Sequence, residues 1–329
     1  MDIAYHYALI ETLTTQREGH KLCAAMGKII NELTGAHYIK LHIANDSSNE
    51  LSNSDSGTDE EGNILSCSLS EDDFKIIDKI DPKAFNPKGP FLKQGNYTVV
   101  PLYSDQSILG MILFDTDVPE ENKALLRMTL RVFINQYTLI NYCMKDALTG
   151  LFNRQAFDKI MKRLIDGQDM PHRRHNDTSG NWFFAMVDID HFKQINDRFG
   201  HVYGDEVLLL FSRIMNQSFR EDDLLFRYGG EEFAIALRNV DEDTSNLALE
   251  RLRKNVEQYD FPQVGKVTIS IGYTSIKENN MIASITDAAD KALYFAKEHG
   301  RNQIWNYDQL IQNGSIAVSD YASEDVELF

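Results

Sequence analysis

Three cysteines occur in 329 residues, and Cys23, Cys67 and Cys143 stand far apart. Their spacing fits neither a zinc pattern nor a disulfide framework, so a reducing cytoplasm is the expected compartment. No apolar run approaches the ~20 residues of a membrane-spanning helix. The N-terminus lacks the charged-then-apolar layout of a signal peptide. There is no internal repeat, and no GxxxxGK[ST] sequence, which argues against a P-loop nucleotidase. Basic residues are few: 33 Lys and Arg face 50 Asp and Glu, a net charge of −17. That balance argues against a nucleic-acid polymer or an anionic membrane surface as partner. A phosphorylated small molecule stays compatible, provided metal ions and a few placed basic residues offset the field.

Hydrophobic content of 43% and charged content of 25% suit a globular protein, and the length allows two domains with real cores. The chemistry concentrates at Leu224–Leu237, LLFRYGGEEFAIAL. Two strand-forming runs meet at Gly229-Gly230 and read as a hairpin, with glycine expected there because a tight turn needs φ > 0. Glu231 and Glu232 follow at the tip, a pairing suited to a hard divalent cation and the phosphate it carries. Taken alone, the turn reads equally well as a solvated acidic loop.

Upstream, Trp182–Val187 is a short apolar run ending in Asp188, fitting a buried strand with its carboxylate at the edge. Gly200 and Gly204 are expected to break the following helix. The pattern continues as β (183–188), α, β (224–228), β (232–237), α (243–258), β (267–274), α (284–298), β (303–306). A β-α-β-β-α-β core of this kind is ferredoxin-like, or palm-type, and sets Asp188 beside the hairpin carboxylates. A carboxylate on one strand facing two on its neighbour is how a two-metal phosphoryl- or nucleotidyl-transfer site is built.

Residues 1 to about 35 read as one helical run closed by Thr34-Gly35, 37–44 as a strand and 97–114 as two strands. Residues 45–63 and 167–181 read as polar loops. From Pro119, Leu126, Leu130, Phe133, Tyr137, Ile140 and Met144 recur at alternating steps of four and three, an a/d seam for a parallel two-stranded coil. The same periodicity suits an amphipathic helix packed only on its own domain. A second stripe, Leu125, Met128, Val132 and Leu139, is the expected contact with the N-terminal domain.

The motifs from Asp146 to Arg301 resemble the GGDEF family of diguanylate cyclases. DALTGLFNR at 146–154 is similar to that family's entry signature, and GGEEF at 229–233 is an accepted form of its active-site signature. The resemblance implies metal ligation by Asp188, the carbonyl of Ile189, Glu231 and Glu232, with Mg²⁺ or Mn²⁺ as cofactor. The role of one signature acid in deprotonating the attacking hydroxyl stays open. It further implies triphosphate contacts at Phe192, Lys193, Gly229, Gly230, Lys297 and Arg301, and guanine recognition by Asn196 and Asp205. Lys297 and Arg301 are four residues apart and share a helix face unless Gly300 ends the helix first. A carboxylate at Asp205 accepts from N1–H and N2–H of guanine, which adenine does not offer.

The implied reaction joins two GTP into cyclic di-GMP with release of two pyrophosphates, across two antiparallel catalytic domains. A homodimer through helix 119–145 is therefore the expected assembly. Arg220 and Asp223 match the family's RxxD inhibitory site, with Arg251 as its secondary arginine, so cyclic di-GMP is expected as feedback inhibitor as well as product. Arg220 and Asp223 also suit a plain surface pair. Residues 5 to about 140 resemble a GAF sensory domain in the order of helix, strands, the VVPL and LGMILF segments and a long helix, so that the domain at 1–118 has a terminal helix continuing to 140, with a PAS domain as competitor; no ligand is named by the sequence. The expected architecture is thus α+β throughout: a GAF-like antiparallel-sheet domain (1–118), a signalling helix (119–145), a ferredoxin-like GGDEF domain (146–306) and a disordered acidic tail (307–329). The chain after Asn306 is read as too short for an added phosphodiesterase domain. A GGDEF fold that only binds GTP or cyclic di-GMP is the rival reading, opposed by every catalytic position being filled.

Overall fold

The computed structural model describes residues 3–43, 91–94, 96–104, 107–165, 182–220, 223–238, 240–276 and 281–316. They divide into two units, one ending at Cys143 and the other beginning at Met144. The expected loops 45–63 and 167–181 lie outside the described residues, as does the tail beyond 316.

In the first unit the expected single N-terminal helix is two, α1 (Ile3–Thr14) and α2 (Gly19–Thr34). The break follows Thr14 and Thr15, whose hydroxyls both return to the carbonyl of Glu11. Such side-chain back-bonding competes with helix continuation. Strands β1 (Ile39–Ile43), β2 (Leu92–Gln94), β3 (Tyr97–Ser104) and β4 (Ser107–Phe114) form an antiparallel sheet in the order β1-β4-β3-β2. Helix α3 (Glu120–Met144) follows.

Of the two arrangements that the α3 periodicity allows, the inter-subunit seam gives way to packing within the helix's own unit. Leu126, Leu130 and Phe133 are buried in the first unit's own core with Met26, Ile30, Ile112 and Phe114, and Tyr137 and Ile140 pack against it. An apolar stripe at helical spacing is satisfied by whichever surface covers it first, and here that is the unit's own sheet and helices. The second stripe divides: Leu125 is buried and Val132 packs against the core, while Met128 and Leu139 are exposed.

The second unit opens with α4 (Arg154–Ile165) and continues through β5 (Trp182–Ile189), α5 (Phe192–Phe199), α6 (His201–Ser218), β6 (Leu224–Arg227), β7 (Glu232–Arg238), α7 (Glu242–Gln258), β8 (Ile269–Ile276), α8 (Ile282–Glu298), β9 (Ile304–Asn306) and α9 (Tyr307–Gln312). Its sheet runs β6-β7-β5-β8-β9. The first four strands have the split β-α-β order expected of a ferredoxin-like core, and β9 joins β8 in parallel. β5 is central, and Phe183–Ile189 are all buried, which is why that strand reads as a continuous apolar run rather than an alternating one.

Two expectations change. Gly200, at φ 89, does end α5, but Gly204 lies inside α6. A Cβ on Gly204 would stand 1.9 Å from Oδ1 of Asn196, so glycine there permits α5 and α6 to touch rather than breaking a helix. The tail is ordered over its first residues. Asn306 caps α9 by accepting from the Asp308 and Gln309 amides, Asp308 accepts from Thr274 and Ser275, and Leu310 is fully buried.

Candidate active site

The site forms where β5 ends beside the β6–β7 hairpin. Register places Asp188 directly opposite Glu232 on β7 and Ser270 on β8. The Ile189 amide donates to the Glu231 carbonyl at 3.4 Å, tying the strand end to the hairpin tip. Asp188 is 5% exposed and pairs with Nζ of Lys297, in the last turn of α8, at 2.8 Å. Burial pushes the Asp188 carboxyl above its ordinary range; Lys297 and Arg301 pull it down without cancelling that, and Asp190 adds to the rise. Glu231 is also raised, first by burial, then by the charges of Asp188 and Glu232, against Lys297.

The two carboxyls therefore bind protons more readily folded than unfolded, and the fold loses stability as pH rises through the carboxylate range. Glu231→Gln should melt higher than the wild-type chain at pH 7 in the absence of divalent ions. The difference should shrink as pH falls through that range. A variant melting lower at pH 7 would show that the carboxylates are not crowded.

The glycine pair works differently from the expectation. Neither Gly229 nor Gly230 has a positive φ. Gly229 instead makes room: a Cβ there would lie 2.5 Å from Oε2 of Glu232, while Gly230 faces open space. The turn closes through the Glu232 carbonyl, which accepts from the amides of Tyr228 (2.8 Å) and Gly229 (3.1 Å).

Arg227 was not singled out by the motif reading, and it holds this turn. Its Nε and Nη2 donate to the Gly230 carbonyl at 3.2 and 2.9 Å. Its Nη1 pairs with Asp146 at 3.0 Å. Asp146 also accepts from the amide and hydroxyl of Thr149. Burial alone would raise the Asp146 carboxyl, but Thr149 and Arg227 outweigh it and hold the group below its ordinary range. The rest of the entry motif packs on the same hairpin arm. Phe152 bridges Phe226, and the Arg154 guanidinium lies 3.5 Å from the centre of the Tyr228 ring.

The other expected contacts are distributed around this edge. Phe192 is buried in the core, leaving its backbone at the start of α5 for any ligand, whereas Lys193 is exposed. Asn196 presses on Gly204, which places it beside the exposed Asp205. Arg301 is not on the helix with Lys297: α8 ends at Glu298, and Gly300, Arg301 and Asn302 all have positive φ. Among the described residues no three His, Cys, Asp or Glu side chains already form a cation-binding cluster, and Lys297 holds Asp188. The donor set still fits a hard divalent ion, because the carboxylates are oxygen ligands whose mutual repulsion a cation relieves.

Arg220, Asp223 and Arg251 come together in a separate cleft, lined also by Leu237, Thr244 and Leu247. Asp223 accepts from the Arg220 amide at 2.9 Å. The Arg251 guanidinium caps α6 by donating to the Ser218 carbonyl.

Residues 143–303 match the family model described as "Diguanylate cyclase, GGDEF domain". Over 173 residues the chain is 39% identical to "Probable diguanylate cyclase DgcT" of Escherichia coli K12, covering 50% of this chain and 36% of that one. It is 32% identical over 219 residues to diguanylate cyclase A of Treponema denticola, covering 62% and 58%. A solved structure of the active GGEEF domain of a diguanylate cyclase from Vibrio cholerae is 31% identical, with a TM-score of 0.38 over 47% of this chain and 90% of that one. Residues 143–303 thus belong to the GGDEF family of diguanylate cyclase domains. The chain spans less than two thirds of the length of these curated relatives. Among the described residues no helix is long and apolar enough to cross a membrane.

Proposed function

We propose that the protein is a cytoplasmic diguanylate cyclase that condenses two GTP into cyclic di-GMP and two pyrophosphates. The observation that carries this reading is the register of Asp188 against Glu232, with Glu231 adjoining and Lys297 in contact, in a domain of the GGDEF family. Asp188, the Ile189 carbonyl, Glu231 and Glu232 would hold Mg²⁺ or Mn²⁺, which when bound supplies Lewis-acid stabilisation of phosphate charge. With a cation on Asp188, Lys297 would be available to the phosphates, beside Lys193, Arg301 and the backbone of Phe192, Gly229 and Gly230. Asn196 and Asp205 take the guanine edge. One domain holds one GTP, so each 3′-hydroxyl attacks the α-phosphorus held by a second copy. Incubation of the full chain with GTP or ATP and Mg²⁺ tests this: pyrophosphate and cyclic di-GMP should form from GTP, and no dinucleotide from ATP. Tight GTP binding without turnover, in a dimer enforced by a fused coiled coil, would favour the binding-only rival.

The dimer is proposed to form on the outward face of α3. Met128, Leu139 and Tyr142 are 40%, 56% and 73% exposed, and at 100° per residue they lie within about 60° of one another. The first unit is proposed to be the GAF-like sensor. Its antiparallel sheet supports this, carrying the main core on one face and Val99, Met111 and Leu113 in a separate cluster.

The second cleft is proposed to bind cyclic di-GMP as feedback inhibitor. Arginines suit its phosphates and guanine edges, and Arg220, Asp223 and Arg251 line one cavity. Arg220→Ala should raise the product concentration that halves the rate by about tenfold or more. An unchanged inhibition curve would remove the site.

A further inference from the structure

The second aspartate of the D-x-D pair, Asp190, lies two residues from Asp188 and has no assigned part in the site. It is 4% exposed. Its Oδ1 accepts from the Ser270 hydroxyl at 2.7 Å. Its Oδ2 accepts from the Thr268 hydroxyl at 2.7 Å and from the Asn302 amide at 3.0 Å. Both oxygens are thus occupied by donors from β8, its preceding residue Thr268, and the turn after α8. That turn is an unusual piece of backbone. Gly300, Arg301 and Asn302 have φ of 114, 62 and 48, and two consecutive non-glycine residues rarely hold left-handed φ without external restraint. The restraint comes from two sides. Asp190 holds the Asn302 amide. The Asn302 side chain accepts from Nη1 of Arg253 at 2.8 Å and donates to Glu257 at 2.7 Å, both on α7. Arg253 is itself fixed by Glu250 and Glu257. What the clamped turn presents is Arg301, exposed, with its charge acting on Asp188.

We propose that Asp190 and Asn302 are positioning residues for the nucleotide's phosphates: they lock the 300–302 turn between the end of β5 and α7, so that Arg301 meets the triphosphate in one fixed orientation. This rests on the reading of Arg301 as a phosphate contact. A preorganised guanidinium loses less freedom on binding than a mobile one, so releasing the clamp should weaken GTP binding rather than slow the chemical step. Asp190 is not assigned as a cation ligand, because both of its oxygens are already held by protein donors.

The test is a set of kinetic cycles on the full chain with GTP and Mg²⁺. Arg301→Ala should raise KM for GTP about tenfold. Asp190→Ala and Asn302→Gly should each raise KM about three- to tenfold, with kcat changed less than about twofold. Combined with Arg301→Ala, neither should add more than about twofold, because the residue they position is gone. Asp190→Asn keeps an oxygen for the Asn302 amide and should recover most of the lost affinity. The Mg²⁺ concentration for half-maximal rate should not move in Asp190→Ala. If Asp190→Ala does not fold, Asn302→Gly decides, since glycine accepts its φ. Full additivity with Arg301→Ala would reduce both residues to general structural support and overturn the proposal. So would a raised Mg²⁺ requirement shared by Asp190→Ala and Asp190→Asn. If Arg301→Ala raises KM but the other two do not, positioning fails while the phosphate role stands. If Arg301→Ala leaves KM unchanged, the phosphate role and this proposal fall together.

Discussion

Gly229→Ala should lower cyclic di-GMP formation about a hundredfold while leaving the fold intact. The added methyl would sit 2.5 Å from Oε2 of Glu232, so carboxylate or hairpin must shift by most of an ångström. A displacement of about 1 Å at a reacting centre costs about 10²-fold. Gly230→Ala is the control, since its Cβ would meet nothing within 4 Å and the φ there is not left-handed. It should retain activity within a few-fold, since alanine keeps the backbone that faces the phosphates. Near-equal activity of Gly229→Ala and the wild-type chain would show that Glu232 works from a different position. The role of the first glycine is therefore clearance for an acid, a different demand from the turn geometry that a GG pair ordinarily signals.

Arg227→Ala should both destabilise the catalytic unit and depress its activity. The guanidinium joins the Asp146 carboxylate to the Gly230 carbonyl, so its loss leaves a partly buried carboxylate without its counter-charge and a signature carbonyl without its donor. For a pair that is partly exposed, the cost is about 2 kcal/mol, below that of a fully buried pair. Trp182 and Trp305, the chain's two tryptophans, both lie in the second unit, so tryptophan fluorescence, excited selectively over the tyrosines, follows its unfolding. The Asp146 carboxyl is held below its ordinary range. Its contribution is present at neutral pH and down to the ordinary carboxylate range, then disappears as pH falls through the depressed value. The gap between wild type and Arg227→Ala should close in the same acid window. Activity should fall about ten- to a hundredfold, because the turn bearing both glutamates loses its anchor. Arg227→Lys should fall between the two, since one ammonium cannot serve both acceptors with a fork's geometry. A variant with unchanged stability and rate would make the Asp146–Arg227–Gly230 link incidental. With the link confirmed, the entry turn directly after α3 and the catalytic hairpin are one mechanical piece, and a movement of Asp146 reaches Gly230 through a single side chain.

The second unit was legible because its chemistry sits at strand ends. The run ending in Asp188 and the paired runs around GGEE each carry period and punctuation enough to place a strand, and their adjacency follows from the β-α-β-β-α-β order. The residues that support the acids were harder to see. Arg227 and Asp190 each stand within two residues of a signature residue, but their partners are 81 and 112 positions away in Asp146 and Asn302, and spacing along the chain carries no signal for such contacts. The α3 seam misled for a different reason. Periodicity shows that a stripe must be covered, not by what, and the first unit's core reached Leu126, Leu130 and Phe133. At Gly204 and the start of the tail, residue type alone carries no signal for the partner that decides the structure. Gly204 is inside a helix because Asn196 needs its space, and residues 307–312 are ordered because Leu310 and Asp308 find partners on the unit.

The most direct measurement is the product formed from GTP and Mg²⁺ by the full chain and by Glu232→Gln, resolved by chromatography beside a pyrophosphate assay. Cyclic di-GMP and two pyrophosphates per product are expected from the wild-type chain. A rate at least about 10²-fold lower is expected from the variant, which keeps the size of the side chain and loses its charge. Equal product from both, or pyrophosphate without the cyclic dinucleotide, would contradict the diguanylate cyclase reading.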